Sequence, residues 1–326
     1  MTGDPGKPGE FDLIASAFAP LTDGDERALD LLDDAAVLPQ TDGKDYVVTT
    51  DTMVAGIHFL ETETADVVAR RLLRVNLSDL ASMGARPVGY FLNLTLPPDI
   101  DETWIRWFAD GLRADQDEFD IRLFGGDTTH HRNTLNLTAT LIGEVPAGEA
   151  VTRDGACAND DIYVSGTIGD AAMGLRHLQS GGGSEDALVR RFQTPDPRVS
   201  LGMSLRGLVS AMADVSDGLA ADLGHICTAS KVSIEVSGAE IPLSDEARTY
   251  LDEGFVGLAD IVSGGDDYEL VFAARPGAAD DITAAACAIG VPVTRIGRVF
   301  DGPPDVRITD RDGKKIVLDN AGYRHF

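Results

Sequence analysis

Apolar residues recur at helical spacing over residues 64–83 and stop at Gly84, which predicts a helix closed by a glycine. Ahead of it, residues 46–50 form a short apolar and β-branched run ending at Asp51, the pattern of a buried strand. Residues 90–96 read as a second strand, stopped by Pro97 and Pro98, and residues 102–119 as a second helix. Two further strands are expected at 121–124 and 135–142, and a short amphipathic helix at 11–18. The order β-α-β-α-β-β implies an α/β (α+β) fold with a mixed sheet.

Small polar residues at 146–149 mark the expected domain boundary, giving a flexible tail over 1–10, an N-terminal domain over 11–146 and a C-terminal α/β domain over 147–326. The second half predicts a strand at 161–165, a helix from 170 to about 179 after Gly169, an exposed loop at 181–186, and strands at 233–236, 268–273, 293–299 and 305–308. A short internal echo links the halves. Ser78-Asp79 resembles Ser216-Asp217, and Gly125-Gly126-Asp127 resembles Gly264-Gly265-Asp266.

The chain has 326 residues, 43% of them hydrophobic and 25% charged, enough apolar surface for two packed cores. Charge narrows the choice of partners. Lys and Arg total 27 against 54 Asp and Glu, a formal net charge of −27, which argues against nucleic acid or an anionic membrane. Asp accounts for 40 of the acids and Lys for 5 of the bases, a bias that reads as adaptation to high salt or as a high-GC genome. Cys157, Cys227 and Cys287 form no C-x-x-C pair. With no signal-peptide core and no apolar run near the ~18 residues of a membrane span, a soluble cytoplasmic protein is expected.

The acids cluster at element ends and beside glycines: Asp33-Asp34, Asp51, Asp79, Asp127 after Gly125-Gly126, Asp214 and Asp217, and Asp266-Asp267 after Gly264-Gly265. Glycine lets backbone approach a phosphate, whereas carboxylates meet phosphate only across a hard cation, so the combination points to metal-bridged phosphate. Any one Asp after a glycine is more often a turn residue or a helix cap. G-x-x-x-x-G-K-[ST], a strand-borne G-x-G-x-x-G, and paired H-R-D and D-F-G motifs are all absent, so use of ATP requires a different fold. No Ser-His-Asp or Cys-His arrangement stands out, and His58 is the one histidine set among Thr and Asp.

Seven segments taken in order carry a resemblance: residues 11–14, 33–38, 49–59 (Thr-Thr-Asp-Thr-Met-Val-Ala-Gly-Ile-His-Phe), 75–85, 124–129 (Phe-Gly-Gly-Asp-Thr-Thr), 214–219 (Asp-Val-Ser-Asp-Gly-Leu) and 263–270 (Ser-Gly-Gly-Asp-Asp-Tyr-Glu-Leu), with 322–326 at the end. Together they resemble the thiamine-monophosphate kinase family, within the aminoimidazole ribonucleotide synthetase superfamily. The resemblance implies two α/β domains, the N-terminal one binding ATP and metal and pairing with a second copy into a dimeric β-barrel. It implies direct transfer of the ATP γ-phosphoryl to thiamine monophosphate, with several Mg²⁺ per site.

By the same resemblance Asp34, Thr49, Thr50, Asp51, Asp79, Asp127, Asp214 and Asp217 hold metal. Asp110, Gly126, Asp127, Arg153 and Ser216 face ATP, and His58, Asp266 and Tyr323 face the thiamine phosphate. No catalytic residue beyond the metal cluster is implied. The chain departs from the family pattern in two places: Leu31-Leu32 precede the paired acids where glycine is common, and Asp266 stands where Glu is common. Two other readings stay open, another ATP-dependent member of the superfamily and a non-catalytic acidic protein that only binds cations.

Overall fold

The computed structural model describes residues 14–25, 43–183, 186–310, 312–318 and 322–323. The predicted segments at 1–10 and 11–13 and the paired acids Asp33 and Asp34 lie outside the described residues. The chain divides into two compact units, one of residues 1–80 and 86–147, the other of residues 81–85 and 148–326. Among the described residues no helix is long and apolar enough to cross a membrane.

The first unit is built on β1 (Lys44–Val54), α1 (Ala65–Ser82), β2 (Arg86–Leu96), α2 (Glu102–Phe119), β3 (Arg122–His130) and β4 (Asn136–Pro146). The strands run in the order β1-β4-β2-β3, antiparallel except for the β2–β3 pair. Alternation gives the sheet two unlike faces. The row Thr49, Leu141, Tyr90, Leu123 meets the helices: Thr49 bonds to Asp79 of α1, and the Tyr90 hydroxyl donates to Gln116 of α2 at 3.0 Å. The next row, Thr50, Thr140 and Phe91, turns away from them. Between the helices Asp115, fully buried, accepts from Arg70 at 2.9 Å and from Arg74 at 2.7 Å, so the charge is taken from water only as a paired cluster.

Before β1, Ile14–Phe18 is a π-helical turn and Ala19–Thr22 a 3-10 turn, in place of the α-helix expected there. Pro20 lacks the N–H that an α-helix continuing from Ile14 would need at that position.

The second unit has β5 (Asp161–Ser165), α3 (Asp170–Gln179), α4 (Ala187–Gln193), α5 (Val199–Leu205), β6 (Ala211–Asp214), α6 (Leu219–Ser230), β7 (Ser233–Ser237), α7 (Asp245–Asp252), α8 (Leu258–Ser263), β8 (Leu270–Ala274), α9 (Ala279–Ile289), β9 (Val293–Phe300) and β10 (Asp305–Thr309). Its six strands are ordered β10-β7-β9-β5-β8-β6, with only β10–β7 parallel. Ile162, Val164, Ala213, Leu223, Ile226, Ile234, Val271 and Ile296 form its core. The strand expected from residue 268 begins instead at Leu270, because Asp266 (φ 72°) and Tyr268 (φ 51°) are left-handed and cannot pair as strand residues.

Candidate functional site

In the first unit β1 carries Thr49 and Asp51 onto the helix-covered face. Thr49 Oγ1 donates to Asp79 Oδ2 at 2.6 Å, and the Asp51 N–H donates to Asn76 Oδ1 at 3.1 Å. Asn76, fully buried on α1, donates in turn to the Leu72 carbonyl at 2.9 Å, so it clamps the strand to the helix. Burial raises the Asp51 carboxyl above its usual range, against a hydrogen bond with Asp79 that pulls it down. Two carboxyls close enough to hydrogen-bond are a place where a proton or a cation is needed between like charges.

Thr50 faces away from this pair. Its hydroxyl donates to the Ala139 carbonyl at 3.1 Å and lies 3.0 Å from that of Thr140. His58 sits after the tight turn at Gly56. Its Nδ1 accepts from the Val54 N–H at 3.1 Å and its carbonyl accepts from Arg71 Nε at 3.2 Å, so ring and backbone are both tied. Nδ1 is therefore an acceptor and the ring proton sits on Nε2. Asp110 is exposed on α2.

Asp127 and Gly126 do not join Asp51 and Asp79 within one chain. Register places Asp51, Ala139, Leu92 and Gly126 in one row, so Asp51 and Gly126 lie on opposite edge strands, three spacings of about 4.8 Å or about 14 Å apart. Asp127 falls in the next row, with Thr52, Thr138 and Asn93, on the other face. Gly126 is required where it is, since a Cβ there would overlap the Leu92 carbonyl.

The second unit draws Arg153, Ser216, Asp217, Asp266 and Tyr323 around the loop between β6 and α6. Asp214, buried, ends β6. The Asp266 N–H donates to the Ser216 carbonyl at 2.8 Å, and the Tyr323 N–H donates to the Asp217 carbonyl at 3.0 Å. Gly265 permits this approach, because a Cβ there would strike the Ser216 carbonyl.

Asp222 and His225 complete the cluster and are not evident in the sequence as site residues. Asp222 Oδ2 accepts from the N–H groups of Asp217 and Gly218 at 3.2 and 3.1 Å, and His225 Nε2 lies 3.8 Å from Asp217 Oδ2. Burial, then the Asp217 charge, pushes the Asp222 carboxyl up to about 7, with the two N–H groups and Arg153 opposing. Asp222 follows Asp217 by one helical turn and a loop residue, a spacing shared with many helix-start acids, so nothing local distinguishes it.

Under this loop lie two more buried acids. Asp267 accepts from the N–H groups of Gly169 and Ala171 at 2.6 and 3.2 Å, and burial pushes its carboxyl up to about 8 against those bonds. Burial also drives the Glu269 carboxyl upward, but bonds from Arg198 and the charge of Arg191 outweigh it and leave it below the usual range.

Comparison with known proteins identifies the family of the chain. The AIR synthase related protein N-terminal domain matches residues 32–145 and the corresponding C-terminal domain matches residues 158–309. Thiamine-monophosphate kinase of Caulobacter vibrioides is 48% identical over 301 residues, covering 90% of this chain and 85% of that protein. The crystal structure of thiamine-monophosphate kinase from Stenotrophomonas maltophilia K279a superposes with a TM-score of 0.82 at 41% identity, over 92% of this chain and 98% of that one. AaThiL complexed with AMPPCP and TMP superposes with a TM-score of 0.78 at 28% identity over the whole of both chains. With two AIR synthase related domains and a curated relative at 48% identity, the chain belongs to the thiamine-monophosphate kinase family.

Proposed function

We propose that this chain transfers the γ-phosphoryl of ATP to the phosphate of thiamine monophosphate, giving thiamine diphosphate and ADP. The observation that carries the reading within the chain is the all-oxygen set of Thr49, Asp51 and Asp79, with a raised Asp51 carboxyl. Oxygen-only donors with paired carboxylates fit a hard cation such as Mg²⁺; we assign Thr49, Asp51, Asp79 and Asp127 as holders in the first unit and, taken by itself, Asp214 and Asp217 as holders in the second. Bound there, Mg²⁺ supplies neutralisation of phosphate charge.

The chain's own residues bind and orient. Arg153 offers a permanent positive charge for a phosphate, and His58, with its proton on Nε2, offers a donor to a phosphate oxygen. Asp266 and Tyr323 are assigned to the thiamine end. The acceptor oxygen is ionised above a second pKa of about 6, so it attacks the γ-phosphorus without a general base as the bond to the β,γ-bridging oxygen breaks and ADP leaves.

The homodimer is part of the same proposal. Among the described residues β1 is an 11-residue edge strand, with Tyr46 and Val48 exposed at 42% and 60%. β3 is the other edge. Two copies joined at these edges make eight strands, the number at which a barrel interior is filled by side chains. Closing β1 of one copy on β3 of the other brings the strand that carries Asp51 next to the partner strand that carries Asp127.

The test is an ADP-release assay with ATP, Mg²⁺ and either thiamine monophosphate or thiamine, products separated by chromatography. Thiamine diphosphate formed from the monophosphate alone is the expected result. A folded protein that forms none overturns the reading.

A further inference from the structure

The turn from Gly264 to Tyr268 is held under strain. Asp266 and Tyr268 both have positive φ, a conformation uncommon for Asp and costly for a bulky aromatic. Such a backbone persists only where its surroundings over-determine it. On one side the turn is fastened to the Asp217 loop: Asp266 N–H to Ser216 O and Tyr268 N–H to Val215 O, both 2.8 Å, with the Val215 N–H returned to Glu269 O at 2.8 Å.

On the other side the fastening is Asp267. Its side chain is fully buried and both its oxygens accept backbone N–H groups, Oδ2 from Gly169 and Oδ1 from Ala171. These belong to the N-terminus of α3, whose own N-cap, Gly169, supplies no side-chain acceptor. Asp267 therefore caps a helix nearly a hundred residues away in sequence, a service that Ser, Asp or Asn usually renders from the adjacent position. Arg191 adds a second tie, Nη2 to the Asp267 carbonyl at 3.2 Å.

We propose that Asp267 is a positioning residue for the thiamine end of the acceptor. By docking on the first turn of α3 it locks residue 267 between its two left-handed neighbours and so fixes where Asp266 points. The Tyr268 hydroxyl, donating to Asp266 Oδ1 at 3.2 Å, braces the same carboxylate. The role rests on the reading of Asp266, made above, as a contact of the thiamine end of thiamine monophosphate. A cap alone would leave catalysis untouched in whatever protein folds; a positioning residue alters recognition of one substrate.

The experiment is steady-state kinetics of Asp267→Asn with each substrate varied in turn. Asn keeps the volume but sets an NH₂ against one of the two N–H groups. The expected result is a KM for thiamine monophosphate raised by about tenfold or more, and a KM for ATP changed by less than about threefold, in protein that is folded by circular dichroism.

Equal KM values in folded Asp267→Asn and wild type overturn the proposal, as does a matching rise in both KM values. If the wild type itself makes no thiamine diphosphate, the acceptor reading fails and this proposal with it, a result separate from an unaffected variant of an active enzyme. Should Asp267→Asn fail to fold, Arg191→Gln serves, since Glu269 keeps its two bonds from Arg198 while the tie to the Asp267 carbonyl is lost. It is expected to raise the same KM severalfold, and an unchanged value overturns the proposal.

Discussion

Replacing Glu269 by Gln probes a heavily bonded buried charge in the second unit. The carboxylate is fully buried and accepts from Ser165 Oγ at 2.5 Å, Arg191 Nη2 at 2.7 Å, and Arg198 Nε and Nη2 at 2.7 and 2.5 Å. Gln keeps one acceptor and turns an NH₂ toward a guanidinium, leaving two cations facing each other with no anion between them. Removing one partner of a buried pair costs about 3–5 kcal/mol. The side chains of Arg191 and Arg198 retain 21% and 12% exposure, and Arg198 keeps Asp196 as a partner, which places the cost near the lower bound, about 3 kcal/mol.

For a unit of this size that is about 6–12 °C in Tm. The sign with pH follows from the depressed carboxyl. A folded pKa below the unfolded value of 4.5 contributes stability that is present above 4.5 and is lost as pH falls through the folded value. Thermal unfolding of wild type and Glu269→Gln, followed by far-UV circular dichroism from pH 7 downward, should show a gap that is constant above pH 4.5 and narrows below it. A gap under about 1 kcal/mol at pH 7 would refute the reasoning, because the cluster would then be far wetter than its burial implies.

Other outcomes are expected at the first unit. Asp51→Asn removes one of the two facing carboxylates and should lower turnover by about a hundredfold or more with the Tm held, read by thiamine diphosphate formation; full activity would sink the metal assignment. If the proposed homodimer shares its site between copies, Asp51→Asn and Asp127→Asn, each nearly inactive alone, should regain up to about a quarter of wild-type activity when unfolded and refolded together, since half of randomly paired dimers would be mixed and each would hold one intact site. Continued inactivity of a refolded mixture would place both residues in one chain's site. Asn76→Ala leaves the Asp51 N–H without its acceptor and should cost about 1–3 kcal/mol in urea unfolding of the first unit; a change within about 0.5 kcal/mol would show that the clamp is not needed.

Much of the architecture was legible in advance. The periodicities at 64–83 and 102–119 became α1 and α2, and the short apolar runs of the first unit became β1 to β4 with longer ends. These features are local: the spacing of apolar residues sets which face of an element is buried, whatever it packs on. The turn at Tyr268 broke the pattern for a local reason that composition does not reveal, since β-branched and aromatic propensity at 268–273 favours a strand right up to the residue whose left-handed backbone prevents it. The internal echo likewise has no structural counterpart. Asp79 lies within a helix and Asp217 in a loop, while Gly125-Gly126-Asp127 belongs to a strand and Gly264-Gly265-Asp266 to a turn.

By itself, then, the sequence determined the strands and two long helices of the first unit, the acidic character and, through the order of its motifs, the family, because each depends on residues near one another in the chain. Tertiary structure alone decided which carboxylates meet. Strand order β1-β4-β2-β3 put Asp127 across the sheet from Asp51, and packing set Asp267 on the N-terminus of α3 and Glu269 between two arginines. Pairing of strands and burial of a charge are settled by partners tens of residues away, whose identity no local spacing encodes.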